Sequence, residues 1–341
     1  MVPQARDRPF RFTVALVSQE RSELPQVTVV VPVRNNVAGL QALLARLDGQ
    51  TYPRSRFQVV VGDDGSEPGS LDHIPTPDHH VRVVRGAPQT SYAARNRAVL
   101  ASSTELLAFC DSDCLPANTW LEEGIAALRH AGLAAGAVIF DPTPTNVWSL
   151  LTADLFLDQE QNVKLSRAVT ASLFATRRIF DAAAGFDESL PSGGDYDFVS
   201  RCLRLDARLV YADRSVVVHP TLPTAKFLLQ KIWRTNRWSG VRTTRDRGRV
   251  NLSSAVFFIP LVGLAVARRR ALRPIARLDH RRIASSGMRA GRSQELAAVA
   301  LLYFLVAPVA AAGRVRGLLE GWRPSVARAR YLDDMSGQRA T

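Results

Sequence analysis

Two stretches of this 341-residue chain end in carboxylates placed where they could do chemistry. Val59-Val60-Val61-Gly62-Asp63-Asp64-Gly65-Ser66 is the first, and Leu106-Leu107-Ala108-Phe109-Cys110-Asp111-Ser112-Asp113 follows about two βα units later. A parallel sheet opens its binding crevice just past apolar runs of this kind. Carboxylates crowded there repel one another unless a positive group joins them, and a divalent cation bridging to phosphate oxygens is the usual one. The pattern implies an enzyme that handles a nucleotide diphosphate.

Holding those carboxylates at one edge requires strands that run the same way. Val27–Val33 is a continuous β-branched run, the mark of a strand buried on both faces. Asn35 or Asn36 then caps a helix with the apolar stripe Val37, Leu40, Leu43, Leu44 and Leu47. Phe57–Val61, Val81–Val84 and Leu106–Cys110 read as further strands, and Ser91–Leu100 reads as a helix. This alternation predicts an α/β domain with a Rossmann-like, mostly parallel central sheet and flanking helices. Beyond it, a helix near Trp120–His130, a strand Gly136–Phe140, helices Thr176–Ala184 and Asp195–Leu205 and a strand Leu209–Val218 are expected. The Pro142–Pro144 connection opens a stretch whose elements the pattern leaves open. The organisation is a lead-in over 1–26, a catalytic domain over 27–223, a basic amphipathic helix over 224–249 and a hydrophobic, basic region over 250–341.

The charge supports that division. The net +13 resolves into −3 for residues 1–230 and +16 for residues 231–341. Surplus positive charge could meet nucleic acid or an anionic membrane. The apolar runs Val250–Ala267 and Leu296–Gly313 favour the membrane, although both are at the short end for a spanning helix. Between them Arg268–Arg292 carries a net +8, and positive loops stay cytoplasmic. The expectation is therefore a C-terminal region that lies along or dips into the inner leaflet, at the cytoplasmic face of the cell membrane, with a spanning hairpin or buried core helices as alternatives. Phe12–Val17 is too short for the apolar core of a secretory signal. Cys110, Cys114 and Cys202 fit no disulfide or zinc spacing and read as packing residues in a reducing compartment. Lysine is nearly absent (Lys164, Lys226 and Lys231) while arginine abounds.

Seven short motifs then occur in order across residues 27–240: Val29-Val30-Val31-Pro32-Val33-Arg34-Asn35, Asp63-Asp64-Gly65-Ser66, Ala94-Arg95-Asn96, Asp111-Ser112-Asp113, Gly185-Phe186-Asp187-Glu188, Gly194-Asp195-Tyr196-Asp197 and Arg234-Thr235-Asn236-Arg237-Trp238. Together they resemble the family 2 glycosyltransferases, inverting enzymes of the nucleotide-sugar-binding GT-A fold. The resemblance implies a Mg2+ or Mn2+ ion held by Asp111 and Asp113, with His219 completing the metal shell or touching the pyrophosphate. It implies donor contacts from Pro32, Arg34, Asn35, Asp63, Asp64, Arg95, Asp111 and Ser112.

The matching general base is Asp195, which takes the acceptor's proton opposite the leaving group; Gly194 stands where the family usually has Glu. Asp197, Arg234, Arg237 and Trp238 are expected on the acceptor side. Arg234 replaces the Gln that opens a related element in processive synthases, and two short apolar segments are too few for a translocation channel, so single addition is expected. The implied partners are a nucleotide-sugar donor, UDP-linked by family expectation, a lipid-linked or glycan acceptor and the inner-leaflet surface, with no nucleic acid. A soluble small-molecule acceptor and a non-catalytic nucleotide-binding protein are the competing readings. No Gly-x-Gly-x-x-Gly follows the first strand, which disfavours a dinucleotide oxidoreductase.

Overall fold

A computed structural model describes residues 24–74, 80–129, 131–141, 143, 146–247 and 292–320. Strands β1 (Val27–Val33), β2 (Phe57–Asp63), β3 (Val81–Arg85), β4 (Leu106–Cys110), β5 (Leu115–Pro116), β6 (Leu133–Phe140), β7 (Ser172–Thr176) and β8 (Leu209–His219) form one sheet. Their spatial order is β3-β2-β1-β4-β7-β6-β8-β5. The helices are α1 (Val37–Asp48), α2 (Ser91–Leu100), α3 (Trp120–Leu128), α4 (Val147–Leu155), α5 (Gln159–Lys164), α6 (Arg177–Ala182), α7 (Gly194–Arg204), α8 (Ala225–Arg247), α9 (Arg292–Leu301) and α10 (Ala307–Glu320). A π-helical turn, Leu302–Val306, joins the last two.

The first half of the chain folds as its pattern dictates. Every residue of β1 is buried, and β1 lies parallel to β2 on one side and to β4 on the other. Its pairing with β4 runs from Val27 to Val30, so Pro32 falls past the last rung on that side. Asn36 starts α1 by accepting from the Gly39 N–H at 3.2 Å, and Thr90 starts α2 by accepting from Ala93 at 3.1 Å. Side chains alternate across the sheet. Val27, Val29, Val31 and Val33 join Leu40, Leu43, Trp120 and Ile125 on one face, while Val30, Leu107 and Phe109 meet Tyr92, Phe180 and Phe198 on the other. The result is three layers.

The sheet is mixed, with six strands running one way and two opposing them. β7 lies antiparallel between β4 and β6, and β5 runs antiparallel to β8. Both strands escape the sequence pattern because they are short and are placed by distant partners. Ser172 is fully buried in β7, where its hydroxyl accepts from the Trp120 indole at 3.0 Å. Because β7 opposes both of its neighbours, β6 and β8 regain the direction of β4. The C-terminal ends of β1, β2, β4 and β8 therefore share one edge. The unassigned stretch after Pro142 contains α4 and α5, the first capped by Asn146, which accepts from Trp148 and Ser149.

The C-terminal helices pack on the domain. α4, α8, α9 and α10 share a third apolar cluster containing Phe140, Leu150, Leu151, Leu228, Ile232, Ala298 and Val306. On α8, Leu228 and Ile232 are buried there, whereas Phe227 is 52% and Trp233 36% exposed. α8 and α10 touch backbone to backbone. A Cβ added to Gly317 would collide with the Arg237 carbonyl oxygen. The apolar run Leu296–Gly313 thus forms α9, the π turn and the start of α10. Among the described residues no helix is long and apolar enough to cross a membrane. Val250–Ala267 and the basic loop after it, apart from Arg292, lie outside the described residues, as does most of the 1–26 lead-in.

Candidate active site

At the end of β2 the carboxylates are sealed by backbone. Asp63 and Asp64 are 4% and 5% exposed. Asp63 accepts from the Ser66 N–H at 2.9 Å, and its carbonyl accepts from the Arg97 guanidinium at 2.8 Å. Asp64 accepts from the Gln89 N–H at 2.8 Å, with the Arg34 guanidinium 4.0 Å from its other oxygen. Burial pushes the Asp64 carboxyl up to about 6, against the pull of the Gln89 N–H. Arg34 keeps a buried Nε with no hydrogen-bond partner. Asn35, at φ 54°, ties this turn together: its N–H donates to Ser66 Oγ at 3.0 Å and its Oδ1 accepts from Glu67 at 2.8 Å. Pro32 lies one strand away, opposite Gly62.

At the end of β4 the surroundings are side chains. The buried Arg95 guanidinium forms a short ion pair with Asp111. Ser112 accepts from Asn36 Nδ2 at 3.3 Å. The pairing of Leu115 with Val218 brings Asp113 beside His219, with 3.7 Å between the carboxylate and Nε2. His219 Nδ1 lies 2.7 Å from the Pro220 carbonyl oxygen. A proton on Nδ1 satisfies that contact and leaves the Nε2 lone pair facing Asp113. Asp113, Cys114 and His219 offer atoms all within 4.8 Å of one another. The hydrogen bond with Cys110, together with burial, pushes the Cys114 thiol well up, so it stays protonated. The oxygen and nitrogen of Asp113 and His219 therefore suit a hard divalent cation, with the thiol as packing.

α7 presents the third carboxylate. Gly193, at φ 76°, turns the chain into the helix, and Asp195 sits in its first turn. Its Oδ1 accepts from the Tyr196 N–H at 2.9 Å, with the Tyr92 hydroxyl at 3.4 Å. Burial raises the Asp195 carboxyl above the ordinary range, against the pull of the Tyr196 N–H and Arg95, and the nearby Asp111 charge adds to the rise. Asp197 is engaged elsewhere, accepting from Arg201 at 2.8 Å one turn on. Asn96 and Glu188 serve as a brace: Asn96 donates to Glu188 at 3.0 Å and to the Phe186 carbonyl at 2.8 Å, locking α2 to the loop before α7.

α8 closes the crevice. Arg237 donates to Glu320 of α10 at 2.8 Å, and Trp238 is buried beside Val241, which places both in the seam between the two helices. The two cations facing it, Arg237 and Arg316, hold the Glu320 carboxyl below its usual range despite partial burial. Arg234 Nε is buried and has no hydrogen-bond partner. Three residues belong to this arrangement that sequence motifs did not select. Tyr92 lies against Asp195. Arg242 donates to the Gly193 carbonyl at 3.0 Å. Lys231 has its ammonium 4.6 Å over the Phe156 ring; burial and Arg234 lower it, while Asp113 and Asp111 raise it. The scarcity of lysine was the one signal that could have marked Lys231.

Comparisons with known proteins identify the family. The family model described as glycosyl transferase family 2 matches residues 28–181. Glycosyltransferase AglE of Haloferax volcanii is 32% identical over 225 residues, covering 63% of this chain and 73% of that protein. The pre-mycofactocin glycosyltransferase of Mycobacterium tuberculosis is 30% identical over 205 residues, 57% of this chain and 42% of its own length. Among solved structures, the mannosyltransferase PcManGT from Pyrobaculum calidifontis, in complex with GDP-Man and Mn2+, aligns over 92% of this chain and 94% of its own. Its TM-score is 0.54 at 15% identity, a likeness of fold. The chain belongs to glycosyl transferase family 2 and is a glycosyltransferase with a GT-A-like α/β fold.

Proposed function

We propose that the chain moves a sugar from a nucleoside diphosphate donor to an acceptor hydroxyl, one sugar at a time and with inversion at the anomeric carbon. The observation that carries this reading is the convergence on one sheet edge of Asp113 with His219, Asp111 with Arg95, and Asp195. Arg95 bonds Asp111 and its charge acts on Asp195, so the two carboxylates share one crevice.

In this scheme Asp63 and Asp64, already satisfied by backbone, accept hydrogen bonds from the donor's nucleoside, with Arg34 beside them. Asp195 takes the proton of the acceptor hydroxyl as that oxygen attacks, and its raised carboxyl makes it a stronger base than an ordinary carboxylate. Tyr92 and the Tyr196 N–H hold one Asp195 oxygen, which aims the other. Asp113 and His219, with Asp111 beside them, would hold a Mg2+ or Mn2+ ion. When bound, that ion supplies Lewis-acid neutralisation of the diphosphate. The Mn2+ in the complex of the similar mannosyltransferase supports the choice of metal, and its GDP-Man keeps guanine beside uracil as a candidate base.

We place the acceptor on a lipid at the cytoplasmic face of the cell membrane, in cell-envelope glycan synthesis. The surplus positive charge of residues 231–341 and the exposed Phe227 and Phe304 support it. A soluble acceptor is the second reading, favoured by the close seating of α10 on α8. Sedimentation with anionic vesicles separates them: capture supports the lipid acceptor, and a protein left in the supernatant supports the soluble one. The activity itself is tested by a thermal-shift panel of UDP, GDP, dTDP and CMP with and without Mn2+. A Mn2+-dependent rise with one nucleotide is expected. No rise with any of them contradicts the donor reading.

A further inference from the structure

Asp195 is reached through Gly193-Gly194, a pair of the residues with the greatest backbone freedom, so the first turn of α7 has to be held from outside. Two other elements fill the places that the missing side chains leave. At Gly194 the Tyr92 ring of α2 lies 2.8 Å from where a Cβ would stand. At Gly193 the Arg242 guanidinium of α8 does the same, 2.8 Å from the corresponding point, and it donates to the Gly193 carbonyl at 3.0 Å. That carbonyl also accepts from the Asp197 N–H at 3.1 Å, so Arg242 grips the peptide on which the α7 ladder begins. A cation at this end of a helix opposes the helix dipole, and Arg242 Nε is buried without a hydrogen-bond partner. Both are costs, so helix stability alone does not call for an arginine here. α8 is itself fixed on its other side. Arg237 pairs with Glu320, Gly240 lies against the α10 backbone, and Thr244 donates to the Leu318 carbonyl at 3.2 Å. Arg242 projects about 200° around the helix from Gly240 and from Thr244, away from that seam.

We propose that Arg242 is a positioning residue for sugar transfer: by holding the Gly193 peptide it seats the turn that carries Asp195 and aims the base at the acceptor hydroxyl. This rests on the reading of Asp195 as the general base. In the step itself the acceptor oxygen bonds to the anomeric carbon and its proton goes to Asp195. The bond from that carbon to the β-phosphate oxygen breaks, and its electron pair stays on the phosphate. Arg242 touches none of these atoms and acts through Gly193. A base displaced by about 1 Å can cost about 10²-fold in rate, so a contact that fixes its turn has leverage on the chemistry. The charge of Arg242 works in the same direction, since burial raises the Asp195 carboxyl while Arg95 and Arg242 draw it back toward the ionised form. Through Arg242 the C-terminal helices, which sequence motifs assign to a membrane or an acceptor, take a share in placing the base.

Two measurements on the full chain test this. The first follows release of UDP or GDP from UDP-glucose and GDP-mannose with Mn2+, water standing in for the acceptor. Arg242→Met, which keeps the stem and loses the donor, should lower kcat about tenfold while KM stays within about twofold. Arg242→Lys can still donate to the carbonyl and should recover most of the rate, which guards against misfolding as the cause. In an Asp195→Asn chain, Arg242→Met should cost less than about twofold more, because a residue that acts through the base has nothing left to place. A merely structural role would lower both rates by the same factor. Wild-type kcat in Arg242→Met, or equal losses with and without Asp195, overturns the proposal and leaves the base reading standing. Full activity of Asp195→Asn removes the base reading and the proposal with it. The second measurement needs no donor: backbone amides of residues 194–198 should exchange with deuterium about threefold faster or more in Arg242→Met, with exchange in the central strands unchanged. Unaltered exchange across that turn also overturns the proposal.

Discussion

The two carboxylate pairs that end β2 and β4 look alike in sequence and sit in different surroundings. Asp63 and Asp64 are nearly sealed from solvent, and backbone N–H groups of Ser66 and Gln89 satisfy them. Asp111 and Asp113 are met by side chains that carry or can carry charge, Arg95 and His219. Backbone donors fix a carboxylate's orientation at no change of net charge, which suits selection of neutral ligand groups such as a base or ribose. Cationic side chains around a partly exposed pair suit a site where charge arrives and departs. Burial separates the two further, since it drives Asp64 up to about 6.

Substitutions that break this division should differ in kind as well as size. The largest effect is expected from Asp195→Asn, which belongs to neither pair: turnover should fall by roughly 10²–10⁴ with nucleotide affinity unchanged. Steady-state rates with titration of the same nucleotide check both halves. In wild type the rate should fall on acidification at a pH above the ordinary carboxylate range, because burial raises the Asp195 carboxyl and only the ionised form accepts a proton. Next comes Asp113→Asn, expected to remove the Mn2+ dependence of diphosphate binding and to cost about 10²-fold in turnover. A metal titration that still saturates with the wild-type midpoint would refute the assignment.

Asp64→Asn probes the other pair through stability. The Asp64 carboxyl is raised from 3.8 to about 6 in the folded state, so between those values the folded chain binds more protons than the unfolded one. Stability from this group is full below about 4 and is lost as pH rises through 6. Denaturant melts across that window should slope downward in wild type and flatten in the variant, a difference on the order of 3 kcal/mol. The smallest effect belongs to Asp197→Asn. Its half-exposed pair with Arg201 is worth about 0.5 kcal/mol, and turnover should stay within about twofold.

Much of this was readable from local pattern. The runs Val27–Val33, Phe57–Val61 and Leu106–Cys110 announced strands because hydrophobic continuity is a local property, and the Asp pairs marked where the edge opens. Asn36 as cap and Asp195 near the start of α7 follow from short-range chemistry. β7 was illegible because Ser172 is an ordinary polar residue until Trp120, 52 positions earlier in sequence, arrives to donate to it. Leu296–Gly313 reads as a membrane segment because an Ala- and Gly-rich helix packed on another helix has the composition of one packed in lipid. Lys231 was hidden for the same reason. On an amphipathic helix it is one basic residue among several, and only the docking of α8 sets its ammonium over Phe156.

The division between the two pairs is tested most directly by one set of affinities: the preferred nucleoside diphosphate and its monophosphate, each with Mn2+ or EDTA, for wild type, Asp64→Asn and Asp113→Asn. Asp64→Asn should weaken both nucleotides by the same factor in either condition. Asp113→Asn should abolish the gain that Mn2+ gives the diphosphate and leave the monophosphate alone. Equal losses in all four conditions for both variants would contradict the division, because the two pairs would then be one undivided site.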